Sequence, residues 1–320
     1  MKRCAIIDDY QECALDMANW AALGDGVSVT AFKDHMADED ELAARLKDFE
    51  IICIMRERTP FRRSLFEKLP NLELLLTSGM RNFSIDGQAA IDHGVTVCGT
   101  PALGYTTSEL TWGLIISLMR GIAIEDRSTR LGTWQRTLGV GLNGKTLGVM
   151  GLGRLGGAVA TVGKAFGMEV IAWSQNLTQE RCDELGVELV TKDALIERAD
   201  VLTLHLILGD RTRGIMQAAD FGRMKPSAYF INTSRGPLVD EAALISVLEN
   251  RSIAGAGIDV FDVEPLPLDH PFRRLENTVI TPHLGYVSLE SYQGFYGAMV
   301  ENIQAWLAGT PQRVFPHPSD

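Results

Sequence analysis

The sequence predicts an α/β protein with two doubly wound parallel-sheet units, the second inserted before the end of the first. Three observations carry this. Short apolar runs alternate with helical patterns through the first hundred residues, which implies parallel strands with helices on both faces. The alternation breaks at Thr100-Pro101 and restarts near residue 145. At the restart stands Gly144-Lys145-Thr146-Leu147-Gly148-Val149-Met150-Gly151-Leu152-Gly153-Arg154-Leu155-Gly156, which reads as strand, tight turn and helix.

In the first unit, strands are expected at Cys4 to Ile7, Val27 to Phe32, Ile51 to Met55, Leu72 to Thr77 and Val95 to Cys98. Helices are expected at Asp40 to Asp48 and Phe61 to Lys68, with Asp40 as a cap. The strand ends carry Asp8-Asp9-Tyr10, Arg56-Glu57-Arg58-Thr59 and Ser78-Gly79-Met80-Arg81, and such ends are where a parallel sheet gathers its functional groups. Ser108 to Ile124 then reads as one long apolar helix. Its Trp112, Leu114, Ile115, Leu118 and Met119 suggest surplus apolar surface and a two-fold dimer. Strands of the second unit are expected at Leu147 to Met150, Glu169 to Trp173, Val187 to Val190, Val201 to Leu206, Ala228 to Asn232, Ala256 to Val260 and Thr278 to Thr281. Asp193 is a second expected cap, and Glu290 to Leu307 is the last helix.

Gly151, Gly153 and Gly156 form G-x-G-x-x-G between a strand and a helix. The first permits the turn, the second lets backbone approach a pyrophosphate, and the third lets helix pack close to strand. The phosphate would sit at the positive helix end. An acid for the ribose hydroxyls is expected about 20 residues on, but the tip here is Trp173-Ser174-Gln175-Asn176. Ser174, Gln175 or Asn176 can hydrogen-bond a hydroxyl, and no cation at the tip grips a 2′-phosphate. NAD is the expected cofactor. NADP stays open, because Arg181 lies a few residues further.

The chain has 320 residues, 30 basic and 41 acidic, for a net charge of −11. That balance argues against a nucleic-acid surface. No apolar run approaches a membrane span, and the start turns acidic too soon for a signal peptide. Cys4, Cys13, Cys53, Cys98 and Cys182 show no C-x-x-C spacing. Reduced thiols in a cytoplasmic protein are the expectation. No clustered Cys/His spacing suggests a metal.

Three polar clusters follow strands of the second unit: Asn232-Thr233-Ser234-Arg235-Gly236, Asp259-Val260-Phe261-Asp262-Val263-Glu264-Pro265 and Thr281-Pro282-His283-Leu284-Gly285. Hydride transfer to a 2-keto acid needs a cation on the carboxylate and carbonyl, which suits Arg235. It needs a group that hands a proton to the developing alkoxide, which suits His283. It gains from a carboxylate that orients the imidazole and favours its charged form, which suits Glu264. His205, after another strand, competes with His283 as the acid. His35, His93, His270 and His317 lie in loops or termini and are not expected to react.

Together these stretches resemble the D-isomer-specific 2-hydroxyacid dehydrogenase family across nearly the whole chain. The resemblance implies a flavodoxin-like substrate domain from residues 1–99 plus 289–320, and an inserted Rossmann dinucleotide domain from residues 100–288. It implies domain closure by hinging near Thr100 and near Leu284 to Leu289. It places the catalytic residues on Arg235, Glu264 and His283. Cofactor contacts fall on Gly151, Leu152, Gly153, Arg154, Leu155, Gly156, Ser174, Gln175, Thr107, His205, Thr212, Thr233, Asp259 and Gly285. The backbone grip on the substrate carboxylate falls on Ser78 and Gly79. Two departures stand out: the missing acid at the Ser174 tip, and His205-Leu206-Ile207 where the family often has His-x-Pro.

The reading is an NAD(P)-dependent oxidoreductase of a small anionic 2-keto or D-2-hydroxy acid, working as a homodimer without nucleic acid or membrane. Alternatives are a dinucleotide-sensing corepressor-like scaffold, and a dehydrogenase of phosphite or formate. Arg56, Arg58 and Arg81 exceed what one carboxylate requires. Arg56, or failing that Arg81, is therefore expected to read a second anionic or polar group on the substrate.

Overall fold

Each run of apolar residues between helical stretches is short because both faces of its strand are covered. In the computed structural model, which describes residues 1–315, Ile51–Ile54 and Leu74–Thr77 are buried at every position, as strands inside a doubly covered parallel sheet must be. The chain divides into two units, Met1–Leu103 with Ser288–Asp320, and Gly104–Val287. His317 lies outside the described residues.

The first unit holds β1 (Lys2–Ile6), β2 (Val27–Ala31), β3 (Ile51–Ile54), β4 (Leu74–Thr77) and β5 (Thr96–Cys98). Their order is β2-β1-β3-β4-β5, all parallel. Helices Glu39–Leu46, Arg63–Glu67 and Gly87–Asp92 connect them, and Leu289–Leu307 joins the same unit from the chain's other end. Leu46, Phe61, Leu65 and Phe66 pack with Ile52, Ile54 and Leu75 in its core.

The second unit holds β6 (Thr146–Met150), β7 (Glu169–Trp173), β8 (Glu188–Leu189), β9 (Val201–Leu204), β10 (Tyr229–Asn232), β11 (Gly255–Ile258) and β12 (Thr278–Ile280). The parallel order is β12-β11-β10-β9-β6-β7-β8. Strand order reverses between β6 and β9, so the carboxyl ends of these two strands flank the place where such sheets bind ligands. The carboxyl ends of β10, β11 and β12 lie side by side beyond β9.

Three expectations are corrected. The apolar helix is Thr106–Met119 and stops there, and Ile122–Arg130 is a separate helix. Gly121 between them takes φ +65°, a left-handed residue that ends a helix. The surplus apolar surface expected of this helix is not found. Trp112, Leu114, Ile115 and Met119 are buried against Leu147, Val149, Val159 and Ile231 of their own unit. The caps also move: Asp38, not Asp40, accepts from the amides of Asp40 and Glu41, and Thr191, not Asp193, accepts from Ala194. In each case the residue just before the first turn has the extended backbone that lets its oxygen reach back.

Candidate active site

Steric need shapes the glycine turn first. Gly151 follows β6 with φ +102°. A Cβ there would stand 2.6 Å from the His205 carbonyl oxygen, and one on Gly156 only 1.9 Å from the Gly151 carbonyl oxygen. Side chains at either place would force the turn off β9 or the helix off its strand. A Cβ on Gly153 would meet nothing within 4 Å, so that face is open. Gly153 begins the Arg154–Ala165 helix without a side-chain cap. The helix's first amides therefore keep their donors for an anion at its positive end. These residues fit a dinucleotide pyrophosphate. Arg154 is exposed, with Nη1 2.5 Å from where a Cβ on Gly104 would sit. Leu155 is half-buried behind it.

The ribose end follows β7. Ser174 is half-buried, and Gln175 and Asn176 are exposed. Arg181 does not stand at this tip. Its Nε donates to the Leu152 carbonyl at 3.2 Å, and its Nη1 pairs with Glu184 at 2.8 Å. It braces the glycine turn instead. Beyond β9, Thr212 Oγ1 donates to the Ile207 carbonyl at 2.6 Å and accepts from the Gly209 amide at 2.9 Å. This bond closes the loop that lacks the family's proline. His205 Nε2 lies 3.0 Å from Thr203 Oγ1, and its Nδ1 is buried with no hydrogen-bond partner among the described residues. Burial pushes its imidazole down to about 4. A ring with Nδ1 shut away from water favours its neutral form, which sets His205 apart from His283, whose Nδ1 faces a carboxylate.

The catalytic candidates follow three adjacent strands. After β10, Asn232 Nδ2 donates to the Arg235 carbonyl at 2.9 Å, and the Ser234 amide donates to Asn232 Oδ1 at 3.0 Å. Arg235 Nη1 donates to the Ser234 carbonyl at 2.6 Å. A Cβ on Gly236 would lie 2.2 Å from the Phe261 carbonyl carbon, so only glycine lets this turn press against the loop after β11. There the Phe261 amide donates to Glu264 Oε1 at 2.9 Å, and Glu264 Oε2 is 2.6 Å from His283 Nδ1. Nδ1 facing a carboxylate carries the proton of that bond, which leaves Nε2 for exchange with a ligand. His283 takes φ +55° and is held there by its amide, which donates to the Asp259 carbonyl at 2.8 Å.

Asp259 holds the His283 loop. Its carboxylate accepts from Thr281 Oγ1 at 2.6 Å, the Leu284 amide at 2.7 Å and the Gly285 amide at 2.9 Å. Burial raises its carboxyl above the ordinary carboxylate range, while these bonds and His283 oppose the rise. Thr107 Oγ1 donates to the Gly285 carbonyl at 2.8 Å, and Thr111 Oγ1 lies 2.9 Å from Thr233 Oγ1. Thr107, Thr233, Asp259 and Gly285 are thus one bonded group. Thr111 and Thr281, absent from the sequence reading, complete it. Thr111 stands one helical turn after Thr107, and that spacing was the available signal.

In the first unit the Ser78-Gly79 turn meets Arg56. The Ser78 amide donates to the Ile54 carbonyl at 3.3 Å, and the Gly79 amide to Thr100 Oγ1 at 2.9 Å. The turn's first two amides therefore have acceptors within the protein. Arg56 has φ +53° and donates its amide to Ser78 Oγ at 2.8 Å and its Nη1 to the Ser78 carbonyl at 3.2 Å. Nη1 lies 2.0 Å from where a Cβ on Gly79 would be, so the guanidinium lies over the glycine. Arg58 is a packing residue: it bonds the Asp8 carbonyl and the Tyr292 hydroxyl and covers the Tyr10 ring. Arg81 is exposed. Among the described residues no cluster of His, Cys, Asp or Glu could hold a metal, and no helix is long and apolar enough to cross a membrane.

Residues 112–285 match the family model described as D-isomer specific 2-hydroxyacid dehydrogenase, NAD binding domain. A glyoxylate reductase of Aeropyrum pernix is 36% identical over 255 residues, 77% of this chain and 76% of that protein. A D-3-phosphoglycerate dehydrogenase of Methanocaldococcus jannaschii is 36% identical over 275 residues, 85% of this chain and 52% of the relative. The chain thus spans about half the length of the D-3-phosphoglycerate dehydrogenases it matches. The crystal structure of a phosphoglycerate oxidoreductase from Vibrio cholerae has a TM-score of 0.92 and 37% identity, covering 97% of this chain and 100% of its own.

Proposed function

We propose that this chain, which belongs to the D-isomer specific 2-hydroxyacid dehydrogenase family, moves a hydride between a nicotinamide dinucleotide and C2 of a small anionic 2-keto or D-2-hydroxy acid. The observation that carries the reading is the 2.6 Å Glu264–His283 pair, on the same sheet edge as the Arg235 turn and the open glycine turn. Bound NAD(H) supplies or accepts the hydride. Arg235 grips the carboxylate and polarises the carbonyl. In reduction, His283 Nε2 gives its proton to the carbonyl oxygen as the C–H bond forms, leaving a 2-hydroxy acid and a neutral imidazole. Glu264 stabilises the imidazolium before that transfer and fixes its direction. In oxidation the proton returns to Nε2.

The substrate is read in the first unit. The guanidinium of Arg56 over Gly79, beside amides already engaged, supports a cation-assisted hold on an anionic group there. A homodimer and a cytoplasmic location complete the proposal. The apolar surface for a dimer is the irregular segment 131–140 rather than the buried Thr106–Met119 helix, since Leu131, Trp134 and Leu138 are exposed. The deciding experiment is a panel of 2-keto acids assayed in parallel with NADH and NADPH. No turnover with any of them would remove the enzymatic reading.

A further inference from the structure

Glu264 sits on a loop that a second histidine–glutamate pair holds in place. Glu241 begins the Glu241–Glu249 helix, six residues after Arg235. Its Oε2 accepts from the Asp262 amide at 3.2 Å, and its Oε1 lies 3.1 Å from His270 Nε2. His270 Nδ1 accepts from the Phe272 amide at 3.3 Å. An accepting Nδ1 leaves the ring proton on Nε2, where it donates to Glu241. The ring also packs against Phe272, with centroids 5.1 Å apart. His270 and Glu241 side chains are only 14% and 19% exposed. That is enough burial to keep the pair from being a solvated surface contact.

The bonds run in one line. His270 fixes Glu241, Glu241 fixes the Asp262 amide, and the next amide back, that of Phe261, fixes Glu264 Oε1. Glu264 Oε2 then meets His283. Gly236 presses on the same Phe261–Asp262 peptide from the Arg235 side. One peptide is therefore gripped from two directions. Asp240 and Arg213 are the other charged groups that face the Asp262 carboxyl beside Glu241.

We propose that Glu241 and His270 are positioning residues that hold the Phe261–Glu264 loop so that Glu264 meets His283. This deepens the catalytic reading and rests on it for the effect on turnover, but the geometric claim stands apart. A misplaced partner near the reacting group costs up to about a hundredfold in rate.

The test uses the full chain with Glu241→Ala, His270→Leu and the conservative His270→Gln, whose amide keeps a donor toward Glu241. The primary measurement is the downfield proton resonance of His283 Nδ1–H in protein without substrate, assigned by its loss in His283→Ala. Loss or displacement of this signal in Glu241→Ala and His270→Leu, with retention in His270→Gln, is expected. In the same variants kcat should fall about tenfold to a hundredfold, with dinucleotide affinity unchanged and KM within about threefold. Should Glu241→Ala fail to fold, His270→Leu carries the comparison. An unchanged Nδ1–H signal in folded His270→Leu overturns the proposal, as does equal loss in His270→Gln. If the signal responds but no 2-keto acid turns over, the bracing holds and the enzymatic reading fails.

Discussion

Protonating His205 should cost stability, and the cost can be worked from its surroundings. The ring sits at the carboxyl end of β9, bonded to Thr203, with Nδ1 shut away from water. Its titration moves from 6.5 to about 4 because burial disfavours the charged form. The folded state therefore binds fewer protons than the unfolded chain between those values. By linkage, stability is full above about 6.5 and is lost as pH falls toward 4. The full penalty is about 3 kcal/mol, and about 2.5 kcal/mol of it is already present at pH 4.5. Urea unfolding of wild type and His205→Gln at pH 7 and pH 4.5 isolates this term. Asp259 and other acids contribute equally to both proteins and cancel. Wild type should lose about 2.5 kcal/mol more than His205→Gln over that interval. Parallel losses would show that the imidazole is solvated or paired, and would restore His205 as a candidate acid.

His283→Ala should lower turnover by several powers of ten while dinucleotide binding, followed by NADH fluorescence, persists. Glu264→Gln should lower kcat about tenfold to a hundredfold with dinucleotide affinity kept, because His283 Nδ1 loses the carboxylate 2.6 Å away that orients the ring; an unchanged kcat would break the coupling. Wild type should favour NADH over NADPH about tenfold, or about 1.4 kcal/mol, since neither an acid nor a cation stands at Ser174. Ser174→Asp should sharpen that preference, whereas a hundredfold preference for NADPH would mean that Arg181 leaves Leu152 to reach the phosphate. Arg56→Ala should cost about 1.5–3 kcal/mol in kcat/KM, more with a dicarboxylic keto acid than with glyoxylate or pyruvate. Equal losses on all three, or an effect confined to Arg81→Ala, would reassign the role of Arg56.

Local chemistry sufficed for much of this protein. The apolar runs read as buried strands, because runs of four or five apolar residues between turn signals are too short for a helix and leave neither face of a strand for water. The glycine spacing determined the turn after β6, since Gly151 and Gly156 stand where a Cβ would overlap backbone. The Glu264–His283 pairing was legible because few residue types can orient an imidazole through its Nδ1. Tertiary structure decided what depends on distant partners. Asp40 was the cap expected from sequence, and the extended backbone at Asp38 placed the cap two residues earlier. The apolar Thr106–Met119 helix could have served a partner or its own core, and its packing on β6 and β10 selected the core. Arg181 was a free cation in the sequence and a brace for Leu152 in the fold. His205 and His283 differ little as letters. One has its Nδ1 shut away with no partner among the described residues and the other turns Nδ1 to a carboxylate, and only the packing around each ring separates the two.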